Sequence, residues 1–160
     1  SMNQDHFVLQ RVTATGPARL ALAFADDASF DVDLSEVIES HPTLFRLRDP
    51  AVFAQVAPDE WHRGVVFAGD DDLALASDNL RAMAIEQAGE FSHQQLLAWM
   101  DHHGMTLDAA AAALDVSRRM LAYYRSGSKP IPRTVGLAML GWDIYALKGS
   151  SHAFEYEAAA

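Results

Sequence analysis

Residues 19–34, RLALAFADDASFDVDL, alternate apolar and polar side chains on both sides of a polar turn. Because successive side chains of a strand point to opposite faces, this period of two predicts a β-hairpin with one buried face and a turn at 26–27. The preceding segment FVLQRVTATG, at 7–16, predicts another strand that ends in a turn at Gly16-Pro17. The apolar positions of the hairpin are Leu20, Leu22, Phe24, Phe30, Val32 and Leu34.

Residues 35–88 predict short helices and one more strand. Ser35 is placed to cap a helix over 35–40, and Pro50 is placed to begin a second one. The segment LFRLRD, at 44–49, is compatible with a strand or a loop, and RGVVFAG predicts a strand that ends in an acidic turn at 70–72. A last helix of this half begins at Ser77 or Asp78. The apolar residues of the two later helices are Val52, Phe53, Val56, Leu80, Met83 and Ile85.

Carboxylates cluster in two places of this half, but without the pattern of a metal site. The central glycine and distant glutamate of an EF-hand are missing, so we interpret these aspartates as solvated turns and strand faces. His102 and His103 are neighbours that a helix points in different directions, and no H-E-x-x-H spacing occurs. Cysteine is absent, as are a phosphate-binding glycine loop and a nucleophile elbow. We therefore expect no metal, no cofactor and no enzymatic activity. The clustered carboxylates are Asp26, Asp27, Asp31, Asp33, Asp70, Asp71 and Asp72.

From residue 91 onward the chain has the start and stop signals of helices. Ser92, Thr106 and Ser117 are each placed to cap a helix, while Gly104 and Gly127 are placed to end one. The segment KPIP is expected to be extended, since proline bars helix continuation, and Pro132 suits the start of a last helix that ends near 148–149. The residues predicted to face the core are Leu96, Leu97, Met100, Met105, Met139, Leu140 and Trp142.

Two of these helices have the spacing of a helix-turn-helix. Such a unit needs a small residue where its helices cross, an apolar residue in the turn and two apolar residues on the second helix. Ala111, Val116, Leu121 and Tyr124 occupy those places at intervals of 5, 5 and 3. The position before Val116 favours a left-handed backbone, which Asp115 tolerates better than most residues. With Leu121 and Tyr124 turned inward, the opposite face of the second helix points outward.

Charge is distributed unevenly along the chain. Up to residue 90 there are 6 basic and 16 acidic residues, a net charge of −10, whereas 91–160 contains 6 of each. Within 117–133 every charge is positive, and Arg118 and Arg119 lie in the first turn of a helix, beside its partial positive charge. Arginines on an exposed helix usually form only a solvated face. Here the spacing, the missing acids and the acidic other half favour contact with the phosphates and base edges of a nucleic acid. Tyr123 and Tyr124 also allow single-strand stacking, but Tyr124 faces inward.

The N-terminal half resembles a bacterial domain family of unknown function, numbered twenty-four forty-two. The resemblance rests on the hairpin, on the LFRLRDPAVF segment and on the closing GDDDLALASDNL segment. It implies a small antiparallel sheet packed on one or two helices, and it implies no activity. The positions that carry it are Leu20, Leu22, Phe24, Asp26, Phe45, Leu47, Asp49, Phe53, Gly69, Asp72, Leu73, Asp78 and Leu80.

The C-terminal half resembles the lambda-repressor-like, or Xre-type, helix-turn-helix family. MTLDAAAAALDVSRRMLAYYRSG matches helix two, the turn and helix three, and KPIPRTVGLAMLGWD is similar to the continuation in phage-type repressors. Leu107 stands where the family often has glutamine. By position the resemblance implies phosphate contacts from Ser117 and Arg118 and base-edge contacts from Arg119, Met120 and Tyr123. The complete expected DNA-binding set is Ser117, Arg118, Arg119, Met120, Tyr123, Ser126, Lys129 and Arg133.

The sequence thus predicts an α+β protein with an acidic domain at 2–88, a helix-turn-helix domain of four or five helices at 91–150 and a loose tail at 151–160. We expect a sequence-specific bacterial regulator that binds double-stranded DNA as a homodimer, with the acidic domain as a sensor or as the site of a basic protein partner. The alternative is a protein-interaction or antitoxin-like module that does not bind DNA. No apolar run approaches the roughly 18 residues that a membrane span needs, and we expect a cytoplasmic protein.

Overall fold

The computed structural model describes residues 4–152 and 154–156. It has the predicted α+β class, with two small antiparallel sheets and a set of short helices. Contacts within the chain divide it into two compact units, Ser1–Gly89 and Glu90–Ala160. Within the described ranges, no helix combines the length and the apolar character that crossing a membrane demands.

The first sheet of the N-terminal unit is a three-stranded meander. It contains β1 (Leu9–Gly16), β2 (Arg19–Phe24) and β3 (Ser29–Asp33), all antiparallel. Leu22 pairs with Phe30 and Leu20 with Val32, so the alternating apolar residues share one face, as predicted. That face is the core of the unit, because Leu20, Leu22 and Val32 are at most 2% exposed.

The second sheet contains β4 (Val56–Pro58), β5 (Gly64–Phe67) and β6 (Asp70–Ala76) in antiparallel order. The predicted acidic turn at 70–72 is wrong, since these residues begin β6. Ala68 and Gly69 both have positive φ angles, 54° and 65°, and form the tight turn before the aspartates. Leu73 and Phe67 then face the core that they share with the first sheet.

Helices of the N-terminal unit are short. They are a 3-10 helix at Asp5–Phe7, α1 (Ser35–Ser40), a second 3-10 helix at Pro42–Arg48, α2 (Pro50–Phe53) and α3 (Ser77–Gln87). The strand predicted from residue 7 therefore begins later, at Leu9. The prediction that Ser35 caps α1 is wrong, because Ser35 is the first residue of the helix. Its amide and its hydroxyl both donate to the Asp33 carboxylate. The segment LFRLRD, for which both a strand and a loop were considered, lies mostly in the 3-10 helix at Pro42–Arg48. The helix that begins at Pro50 ends at Phe53, so Val56 lies in β4 and not in this helix.

Four helices make up most of the C-terminal unit: α4 (His93–His102), α5 (Leu107–Leu114), α6 (Arg118–Ser126) and α7 (Arg133–Lys148). The three predicted N-caps are confirmed, because Ser92, Thr106 and Ser117 each accept a hydrogen bond from a backbone amide of the first turn. Gly104 and Gly127 follow their helices with φ angles of 61° and 80°, as the stop signals predicted.

The core of the C-terminal unit differs from the prediction at two leucines. Leu97 and Leu140, predicted to be buried, are 44% and 56% exposed. Trp99, which was not predicted to be in the core, is buried with 8% of its surface exposed. Of the predicted tail, Ser151 and His152 belong to a 3-10 helix at Ser150–His152, and residues 153 and 157–160 lie outside the described part of the chain. The buried core residues are Leu96, Trp99, Met100, Ala110, Ala111, Leu114, Leu121, Tyr124, Ile131, Val135 and Met139.

Candidate nucleic-acid interface

Helices α5 and α6 are joined by a three-residue turn at 115–117. Asp115 has φ 55° and ψ 45°, the left-handed conformation that the sequence pattern predicted for this position. Next to it, the Val116 amide donates to the Ala111 carbonyl at 3.1 Å. Ser117 then caps α6 by accepting from the Met120 amide at 3.0 Å. The turn therefore uses backbone and side-chain hydrogen bonds to set the direction in which α6 begins.

The inner face of this pair is packed as predicted. Leu121 is fully buried, and Ala111 and Tyr124 are 5% and 8% exposed. Val116 in the turn is partly buried against the same cluster. Since α6 is fixed by these contacts, its opposite face is held at a defined orientation to the rest of the unit.

The outer face begins with three exposed residues, Ser117, Arg118 and Arg119, and continues with the half-buried Met120 and Tyr123. Ser126 is also half-buried, and its hydroxyl donates to the Tyr123 carbonyl at 3.1 Å. Lys129 and Arg133, the last two of the predicted set, are exposed in the loop after α6 and at the start of α7.

Tyr123 is the centre of a small cationic cluster on this face. Arg119 Nε donates to the Tyr123 hydroxyl at 3.1 Å, and Lys129 Nζ lies 4.6 Å from the centroid of the ring. The hydrogen bond from Arg119 lowers the pKa of Tyr123, because it stabilises the phenolate, and the positive charges of Arg119 and Lys129 add to this effect. The cluster fixes two long cationic side chains beside an aromatic ring, at the centre of the outer face.

Two carboxylates lie close to the cations. Arg118 Nη1 donates to both carboxylate oxygens of Asp108, at 3.1 and 2.9 Å, and a more distant Glu90 oxygen lies 3.9 Å from Arg133. The stretch 117–133 is free of acids along the sequence, but the fold brings acids from α5 and from residue 90 to two of its cations. The Arg118 and Asp108 side chains are 65% and 70% exposed, so water screens this pair strongly.

No protein-family model matches the chain, and no curated protein is significantly similar to it in sequence. Among solved structures, the chain is similar to the crystal structure of "Putative DNA Binding Protein NE0471" from Nitrosomonas europaea. The two are 35% identical, with a TM-score of 0.79, over 95% of this chain and 94% of the other. This chain belongs to the same family as the Nitrosomonas protein. Because the match covers nearly the whole chain, the family relation includes both units.

Sequence reasoning missed the pairing of Arg118 with Asp108 and the cluster around Tyr123. The signal for the cluster was present, since residues 119 and 123 are four apart and face each other on a helix. Arg118 and Asp108 are ten apart on different helices, and only the helix crossing brings them together.

Another polar cluster links α4 to α7. Asp143 accepts from Trp99 Nε1 at 3.1 Å and from His103 Nε2 at 2.6 Å. The His103 hydrogen bond is the main reason why the pKa of Asp143 is lowered. Among the described residues, no group of three or more His, Asp or Glu side chains is arranged to hold a metal ion.

Proposed function

We propose that this protein binds double-stranded DNA in a sequence-specific manner through α6 and acts as a bacterial transcriptional regulator. The observation that carries the proposal is the outer face of α6, where exposed arginines follow a capped helix N-terminus whose inner face is buried. A helix with this presentation fits the major groove, which admits one α-helix. The name of the Nitrosomonas relative, a DNA-binding protein, supports the same function.

The expected DNA-binding residues, together called the cationic face, divide into phosphate contacts and base-edge contacts in this proposal. Ser117 and Arg118, at the tip of α6, contact phosphates, and Lys129 and Arg133 contact the backbone on either side. Arg119 and Met120 follow in the first turn of α6, and Tyr123 lies one turn after Arg119. These three residues read base edges, with Arg119 as the bidentate donor to guanine. Ser126, whose hydroxyl donates to the Tyr123 carbonyl, lies at the end of α6 and completes the set. These roles are the ones that the lambda-repressor-like resemblance implies for the same positions.

The ion pair between Arg118 and Asp108 is no barrier to this role. Exposed pairs are worth about 1 kcal/mol at most, and a phosphate offers Arg118 an equivalent charge-assisted hydrogen bond. The cost of the exchange is therefore small compared with the 4–10 kcal/mol that separates specific from non-specific DNA binding.

The N-terminal unit has a different role in this proposal. Its residues 1–89 contain 6 basic and 15 acidic residues, and this net charge of −9 opposes DNA phosphates, so we assign to it a sensor function or the binding of a basic protein partner. Its carboxylates are in part satisfied internally: Asp26 is paired with Arg81 at 2.8 Å, and Glu39 with Arg48 at 2.6 Å.

A second candidate function is a protein-interaction or antitoxin-like module in which α6 does not meet DNA. The carboxylates beside Arg118 and Arg133 favour it, because they already neutralise part of the cationic face. The two candidates differ in whether the arginines at the tip of α6 are required for binding a duplex.

Selection from random duplex DNA, followed by titration of the selected site, tests the proposal. The double variant Arg118→Ala/Arg119→Ala should lose at least about thirtyfold in affinity, since each specific contact is worth about 1–3 kcal/mol. Its matched control is Arg11→Ala/Arg19→Ala, which removes the same charge from exposed positions of the first sheet. No enriched site, or equal losses in the two variants, would favour the second candidate.

A further inference from the structure

Helix α7 is apolar on two opposite faces, and among the described residues only one of them is buried. Val135 and Met139 are buried in the core of the C-terminal unit, with Trp142 packed beside them. On the other face four large apolar side chains recur at helical spacing and remain about half exposed: Leu137 at 54%, Leu140 at 56%, Ile144 at 49% and Tyr145 at 53%. A helix that is apolar all round is normally buried on all sides.

Gly141 lies in the middle of this exposed face. A Cβ atom at Gly141 would meet nothing within 4 Å among the described residues, so no contact with them requires glycine there. Gly136, one and a half turns earlier, is different, because a Cβ atom at that position would overlap the ring of Phe91. Glycine inside a helix costs about 0.5–1 kcal/mol relative to alanine. Glycine on an apolar helix face lets another backbone approach closely.

Beside Gly141 the surface has a hollow of about 170 Å³, lined by Gly141, Ile144, Tyr145, Ser150 and Phe154. Small-molecule pockets start at about 300 Å³, so this hollow is too small for a typical ligand. Its size fits a side chain inserted from a facing helix, in the manner of a knob in a hole.

We propose that the α7 face, defined by Leu137, Leu140, Gly141, Ile144 and Tyr145, is the surface through which two copies of this chain associate. A two-fold axis through Gly141 brings the two α7 helices together antiparallel. Leu137 of each copy then packs near Tyr145 of the other, and Leu140 near Ile144. Such a contact is self-complementary, as closed symmetric dimers require.

Area and charge both favour a second copy as the occupant. With Leu147, 86% exposed at the end of α7, the face exposes roughly 600 Å² per copy, close to the ~800 Å² per partner of a stable interface. The chain carries its net charge of −10 in residues 1–90, whereas residues 91–160 have no net charge. Two copies that meet through α7 therefore join the uncharged halves, where mutual repulsion is weakest.

The charged residues near the face lie at its ends or are already bonded. Arg133 and Lys148 are in the first and last turns of α7, and Asp143 is held by Trp99 and His103 on the side toward α4. No charge is thus buried at the centre of the proposed contact. The inference rests on the proposed function only where the dimer is used to bind paired half-sites of DNA. The association of the two copies itself takes place without DNA.

Sedimentation equilibrium of the full chain without DNA tests this inference. The wild-type chain should have twice the 17.5 kDa mass of one chain at micromolar concentration. Leu140→Ser should weaken association by at least about thirtyfold, because the symmetric contact loses two buried leucines at once. Leu97→Ser is the matched control: it replaces another exposed leucine of the same unit, on α4, and should leave the dimer unchanged.

Gly141→Gln separates association from folding. Glutamine is a better helix former than glycine, and its Cβ atom meets nothing within 4 Å among the described residues, so the variant should keep or raise the thermal stability of the monomer while it loses the dimer. A monomeric wild-type chain at about 100 μM, or a dimer that neither Leu140→Ser nor Gly141→Gln weakens, would overturn the inference. The double variant Arg118→Ala/Arg119→Ala should stay dimeric, so loss of DNA binding and loss of association are distinguishable.

Discussion

Arg118 and Asp108 show how a single carboxylate tunes the cationic face. Asp108 accepts from Arg118 with both of its oxygens, and in the proposed complex it stands close to a phosphate. Asp108→Asn removes this negative charge and releases Arg118, so affinity for the selected DNA site should rise about two- to fivefold, as the strength of an exposed ion pair allows. Titration at fixed salt measures the change. Asp101→Asn, on α4, is the control for net charge, and an equal rise there would contradict a local effect of Asp108.

Asp143 predicts a pH dependence of stability in the C-terminal unit. Its pKa is lowered below 3.8, first by the hydrogen bond from His103, so its contribution is fully present above that value and is lost as the pH falls through the lower folded-state pKa. Asp143→Ala should therefore lower the free energy of unfolding at pH 7 by at most about 1 kcal/mol, since the side chain is half exposed. Denaturant unfolding at pH 7 and below pH 3 measures it; a difference between variant and wild type that stays constant across this range would contradict the account.

Individual residues were predictable where the chemistry is local. Ser92, Thr106 and Ser117 cap helices because a side-chain oxygen next to a free amide acts within four residues of sequence. Asp115 adopts its left-handed conformation for an equally local reason. The pairing of Arg118 with Asp108 depends on how two helices cross, and the sequence around either residue carries no signal for it.

At the scale of elements, helix α7 offers a comparison of two glycines in one helix. Gly136→Ala should destabilise the protein by about 1–3 kcal/mol, because the added methyl group overlaps the Phe91 ring and the packing has to shift. Gly141→Ala adds its methyl group in open space and should be neutral or stabilising by up to about 1 kcal/mol in the monomer. Thermal unfolding at a concentration below dimer formation measures both. Equal effects at the two positions would show that Phe91 does not set the difference.

Elements with a strict period were predicted well, and short elements without one were not. The hairpin of β2 and β3 follows from alternation, and its apolar residues are buried as expected. Residues 70–72 were misassigned to a turn because clustered aspartates are typical of turns, whereas the turn is formed by Ala68 and Gly69. Leu97 and Leu140 were assigned to the core because helical spacing alone does not distinguish a covered apolar face from an open one.

At the scale of the whole molecule, the separation of charge follows the division into two units. The N-terminal unit, residues 1–89, has a net charge of −9 from 6 basic and 15 acidic residues, and the five cations of residues 117–133 lie in the other unit. Such a separation is visible in the sequence, and it supports a division of labour between a unit that contacts DNA and a unit that does not. The neutralising carboxylates Asp108 and Glu90 are visible only in the fold.

The central claim is that cations around α6 contact DNA phosphates, and the salt dependence of binding tests it most directly. In the proposed complex three cations of each chain, Arg118, Lys129 and Arg133, contact phosphates, so the logarithm of the association constant per bound chain should fall against the logarithm of salt concentration with a slope of about −3. Arg118→Ala/Arg119→Ala should make this slope shallower by about 1 per bound chain, because Arg118 contacts a phosphate whereas Arg119 reads a base edge. A slope near zero for the wild-type chain, or the same slope in the double variant, would contradict the claim.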